Sequence, residues 1–89
     1  MIRIDVRYRR YRTVVELDGR IAHPDHLRFR DMRRDNAAVA EGRWPLRYGP
    51  GDVAEYPCHV ALQVATVLTI GGWTGRPHPC GRTGCVIPP

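Results

Sequence analysis

Val14-Val15-Glu16-Leu17-Asp18-Gly19 decides how this chain is read. The stretch starts apolar and ends in two carboxylates two residues apart, a short strand closed by glycine. Side chains alternate across a strand, so Glu16 and Asp18 share one face while Val15 and Leu17 share the other. The preceding run, Ile2-Arg3-Ile4-Asp5-Val6-Arg7, also alternates apolar with charged. A hairpin turning through about Arg9–Arg12 puts Asp5 roughly opposite Glu16. Carboxylates gathered on one sheet face repel one another unless a cation sits among them. The spacing therefore predicts a divalent-metal site at Asp5, Glu16 and Asp18. Its plain competitor is a solvated hairpin face paired with Arg3 and Arg7.

Outward from this hairpin, His23-Pro24-Asp25 reads as a helix start, because proline is tolerated in a first turn. The helix runs from about Asp25 to Glu41 and stops at Gly42. Its apolar stripe is thin: Phe29, Met32, Ala37, Val39 and Ala40. Trp44-Pro45-Leu46-Arg47-Tyr48 follows as a third strand, and a strand–helix–strand crossover makes it parallel to the second. After a turn at Tyr48–Asp52, a second helix covers about Ala54–Ile70, with Val60, Ala61, Val64, Val67 and Leu68 as its apolar face. The expected fold is α/β: a small three-stranded mixed sheet, an antiparallel hairpin plus one parallel strand, with two helices over residues 1–72. Residues 73–89 are rich in Gly and Pro and are expected to form an irregular tail. The first strand starts with nothing before it, which leaves its outer edge open. The expectation is a fragment of something longer, with self-association through that edge as the alternative.

Composition narrows the function classes. The chain has 89 residues, enough for one small domain that buries about 60–65% of its unfolded surface. No apolar run nears the roughly 18 residues of a membrane span, and no signal-peptide pattern opens the chain, so a cytoplasmic, non-membrane protein is expected. Net charge is +5, and all 14 basic residues are Arg. Arginine's planar fork grips phosphate oxygens bidentately, so the balance points weakly to nucleic acid. A GC-rich genome explains the absence of Lys better than selection for phosphate binding does, but it does not explain the net positive balance.

Several of these pieces, in order, carry a likeness: Glu16-Leu17-Asp18-Gly19, His23, Asp31-Met32-Arg33-Arg34-Asp35-Asn36, Gly42, Leu46-Arg47-Tyr48 and Asp52-Val53. Over about residues 3–70 the chain resembles the endonuclease-like domain of unknown function related to very-short-patch-repair endonucleases, within the PD-(D/E)XK phosphodiesterase superfamily. Trp73-Thr74-Gly75-Arg76 and the closing Cys pair look like the ends of actinobacterial members, in which a helical region precedes this domain. The resemblance implies a partial restriction-endonuclease-like core, here truncated at the amino terminus, and metal-dependent hydrolysis of DNA. Asp5 and Glu16 match the acids of the first and second motifs, and Asp18 stands where the superfamily's name puts a Lys.

The candidate catalytic residues are thus Asp5, Glu16, Asp18, His23 and Arg34, with Mg2+ held by the three acids. His23 serves as general acid, general base or ligand, or else merely packs at the helix start. Arg33, Arg34 and Arg47 are suited to clamping phosphates, against the plainer reading of helix-surface ion pairs. The competing function is a non-catalytic, truncated nuclease fold that binds DNA or a partner protein. A zinc site can be drawn from Cys58, His78, Cys80 and Cys85. Its spacing is a poor match to known zinc motifs, so structural zinc is not expected and Cys58 is read as a core residue.

Overall fold

A computed structural model describes residues 3–19 and 25–89. Strand β1 (Arg3–Tyr8) leads through a 3-10 turn (Arg9–Tyr11) into β2 (Thr13–Asp18). Then come α1 (Asp25–Ala40), β3 (Trp44–Tyr48), α2 (Pro50–Glu55) and α3 (Pro57–Ile70). The sheet order is β1-β2-β3, antiparallel between β1 and β2 and parallel between β2 and β3. This is the small mixed sheet that the strand patterns predict. The hairpin turn is closed by Arg12, which takes the left-handed conformation at φ 53°. The Arg12 carbonyl accepts a hydrogen bond from the Trp44 N–H at 2.7 Å, which ties the turn to the start of β3.

The register puts Asp5 opposite Glu16 and Glu16 opposite Arg47, so the three lie in one row across the sheet. Alternation then gives the sheet two unlike faces. One carries Asp5, Arg7, Val14, Glu16, Asp18, Pro45 and Arg47. The other carries Val15, Leu17, Leu46 and Tyr48.

Helix α3 packs on the second face. Val15, Tyr48, Ala65, Leu68 and Ile87 form the buried apolar core, and the Tyr48 hydroxyl donates to Gln63 Oε1 at 2.7 Å. Burial raises the Tyr48 phenol above its ordinary pKa, and the nearby Asp52 carboxylate adds to the shift. At the outer end of this face Thr13 is buried, and its hydroxyl donates to the Tyr11 carbonyl at 3.0 Å.

The helices differ from expectation in two places. The segment read as a turn followed by one helix forms two helices, α2 and α3, broken at Tyr56 (φ −129°, ψ 48°). Pro57 is the cause: its ring drives the preceding residue out of the helical region, and its own missing N–H suits the first position of α3. Asp52 holds the start of α2 by accepting from the Gly49 N–H at 2.9 Å. The second difference concerns α1, which stops before Gly42 (φ +80°) as expected, with the Arg43 N–H reaching back to Ala38 at 2.8 Å. Of its apolar stripe, Met32, Ala37, Val39 and Ala40 are exposed, and the Phe29 side chain lies outside what is described. Arg34, Asp35 and Ala38 meet the sheet instead. Charged partners on the strands drew charged residues of α1 toward them. The tail, residues 73–89, carries no helix or strand, yet its Ile87 completes the core.

Candidate functional site

The first candidate site lies between α1 and the polar face of the sheet. Glu16 is 6% exposed, and side chains from two other elements close around it. Arg47 of β3 grips Glu16 Oε2 with both Nε (2.9 Å) and a terminal nitrogen (2.7 Å). Arg34 of α1 reaches Oε1 at 3.1 Å, and Arg47 also meets Asp35 Oδ1 at 3.2 Å. A buried carboxylate keeps its charge only when hydrogen-bonded and paired, and here two guanidinium groups do both. The cavity beside this network, about 100 Å3, is lined by Asp5, Arg7, Glu16, Arg34, Asp35 and Arg43 among others.

A second concavity of about 380 Å3 continues from it, sharing Arg7, Val14 and Arg43 and adding Arg9, Arg12 and Thr13. Four arginines from β1, the hairpin turn and the loop before β3 thus line one groove, with Glu41 as its acid. Arg43 pairs with Glu41. Neither Arg9, Arg12 nor Arg43 stands out by spacing. The run Arg9-Arg10-Tyr11-Arg12 was legible as a basic turn, but only the register brings Arg43 beside it.

Of the candidate catalytic residues, the structure brings Asp5, Glu16 and Arg34 to one cavity. Asp18 is buried but lines a different one, at the far end of β2 with Ile4, Leu17, Tyr48 and Val53. Arg33 is exposed and does not line the first cavity. His23 lies outside the described residues. The acids gain no support as a Mg2+ site from their spacing. Among the described residues, one group of three metal-capable side chains has its ligand atoms within 4.8 Å of one another, and it is not the three acids. Both oxygens of Glu16 are held by guanidinium instead.

That one group is Cys58, Cys80 and Cys85, which can hold a metal ion. Cys58 sits in the first turn of α3, and its sulfur lies 3.4 Å from that of Cys80. Far from being a core residue, it is half-buried beside two tail cysteines. This corrects the expectation that set a cysteine metal site aside, which rested on spacing along the chain rather than in space. Backbone hydrogen bonds, first from Cys80 and then from Ile87, lower the Cys85 thiol to about 7, helped by the Cys58 thiol. Donating to its neighbours, first Cys85 and then Cys80, pushes Cys58 up to about 12. One sulfur of the trio is therefore poised as a thiolate near neutral pH.

No family model, curated protein or solved structure matches the chain. Among the described residues no helix is long and apolar enough to cross a membrane.

Proposed function

We propose that this chain is a nuclease-fold module that engages the phosphate backbone of duplex DNA without hydrolysing it. The observation that supports the reading is the groove in which Arg7, Arg9, Arg12 and Arg43 converge, continuous with the Arg34–Glu16–Arg47 network. Clustered guanidinium groups with few acids among them suit a polyanion, and phosphate contacts of this kind carry affinity rather than sequence choice. Glu16 acts here as an anchor: by binding one end of Arg34 and of Arg47 it sets both forks in place.

The alternative is metal-dependent endonuclease activity, with Mg2+ at Asp5, Glu16 and Asp18 and His23 or Asp18 handling the water. Two things favour it, the likeness in sequence and the pairing of Asp5 directly opposite Glu16. The guanidinium groups on Glu16 weigh against it, as does a cavity beside Asp5 and Glu16 that Asp18 does not line.

One set of measurements separates the two. Duplex binding is expected to weaken as salt rises. An Arg9→Ala/Arg12→Ala/Arg43→Ala variant is expected to bind less tightly with a shallower salt slope, by about one for each phosphate that the protein no longer neutralises. Plasmid incubated with Mg2+ should stay supercoiled. Magnesium-dependent nicking that Asp5→Asn and Glu16→Ala both abolish would establish hydrolysis and overturn the binding-only reading. Affinity unchanged in the triple variant would remove the groove from either account.

A further inference from the structure

The three sulfurs ask for an explanation that neither DNA binding nor hydrolysis supplies. Cys58 belongs to α3, whereas Cys80 and Cys85 belong to the tail, beginning 22 residues further along. All three Sγ atoms lie within 4.8 Å of one another, and the Cys58–Cys80 separation is 3.4 Å. A tetrahedral zinc ion about 2.3 Å from each thiolate places sulfurs about 3.8 Å apart, inside that range. We propose that Cys58, Cys80 and Cys85 hold a Zn2+ ion, with the fourth position open to His78 by a side-chain rotation, and that the ion clasps the tail against the start of α3.

Four observations support the assignment. A disulfide would use two of the thiols and strand the third, whereas a metal ion uses all three. The loop Cys80-Gly81-Arg82-Thr83-Gly84-Cys85 is built to turn back on itself: Gly81 and Gly84 sit at φ +84° and +83°, and the Cys85 N–H donates to the Arg82 carbonyl at 3.3 Å. Only glycine takes those angles without strain. His78 lines the same cavity, about 460 Å3, as Cys58 and Cys80. The other nearby histidine, His59, lines a neighbouring cavity with Cys58 and Cys85 and stands edge-on against Tyr56, ring centres 5.9 Å apart.

The fourth observation concerns need. Ile87, two residues beyond Cys85, is one of five buried apolar side chains in a small core. The tail that delivers it has no helix or strand of its own to hold it. Small domains commonly add a metal where the apolar core is thin. Binding would release the remaining thiol protons to solvent and leave a site of net charge −1. Arg82 lines the cavities on both sides of the cluster, so a cation stands ready to offset that charge.

The test uses the full chain, reduced and freed of metal with a chelator. Titration with Co2+ is expected to give a sulfur-to-cobalt charge-transfer absorption and intense visible bands of tetrahedral cobalt, saturating at one ion per chain and bleached by Zn2+. Zinc should raise the midpoint of thermal unfolding. His78→Ala should keep the charge-transfer band yet bind at least roughly tenfold more weakly, since loss of even an outer partner commonly costs that much. Unchanged affinity in His78→Ala would overturn the fourth ligand. A folded, reduced chain with no charge-transfer band would overturn the site. So would a chain isolated with a Cys58–Cys80 disulfide that takes up no metal after reduction.

Discussion

On one face of the sheet Glu16, Arg47, Arg34 and Asp35 hold α1 through charge; on the other Val15, Tyr48, Ala65 and Leu68 hold α3 through burial. The two faces are built from alternate residues of the same strands, yet they differ in what they give. Burial of apolar surface stabilises in proportion to area and demands no special geometry. A buried ion pair roughly offsets its own desolvation, so the polar face adds little stability. What it does achieve is position: two guanidinium groups are set at fixed places beside an arginine-lined groove. Stability comes from the α3 side, and the proposed function draws on the α1 side.

That division can be broken by mutation. The largest loss should come from the apolar face: Leu68→Ala should cost about 3 kcal/mol in urea unfolding, the usual range for an emptied leucine site. Glu16→Ala should cost less, about 2 kcal/mol, although it removes the most buried charge of the polar network. Its partners Arg34 and Arg47 keep 46% and 27% of their side chains exposed, so water re-solvates them once the carboxylate is gone. A loss at Glu16 exceeding that at Leu68 would reverse the division between the faces.

The smallest effect sharpens the comparison on the apolar side. Tyr48→Phe removes the hydroxyl that donates to Gln63 and should cost about 1 kcal/mol near neutral pH. The Tyr48 phenol has its pKa raised by folding. Above the ordinary tyrosine pKa of about 10, the unfolded chain ionises first and releases the proton that the folded chain keeps. The contribution of Tyr48 is thus complete below that pH and is lost as pH climbs through the folded value. Tyr48→Phe should flatten the alkaline fall in stability. An identical fall in both proteins would place the titrating group elsewhere.

Much of this fold was legible from local pattern. Alternation in Ile2–Arg7 and Val14–Asp18 is enough to define the hairpin, and the turn length then sets Asp5 against Glu16, as the register has it. The parallel third strand followed from the crossover between strands. The thin stripe of Met32, Ala37, Val39 and Ala40 on α1 says nothing about which partner waits on the sheet. Charged residues on the strands claimed Arg34 and Asp35 instead. The break at Tyr56 was legible in principle, since Tyr56-Pro57 carries its own steric signal.

The sequence by itself determined the strands, their order, the two-faced sheet and the arginine-rich charge, because each depends on neighbours a few residues apart. Only the tertiary structure decided which groups meet. Glu16 finds Arg34 and Arg47 across 18 and 31 residues of chain, and Cys58 finds Cys80 across 22. The physical reason is that strand periodicity sets the direction of a side chain, whereas its partner depends on packing between distant elements. Glu16, a metal-ligand candidate along the chain, meets Arg34 and Arg47 in space, and the cysteines form the cluster able to hold an ion.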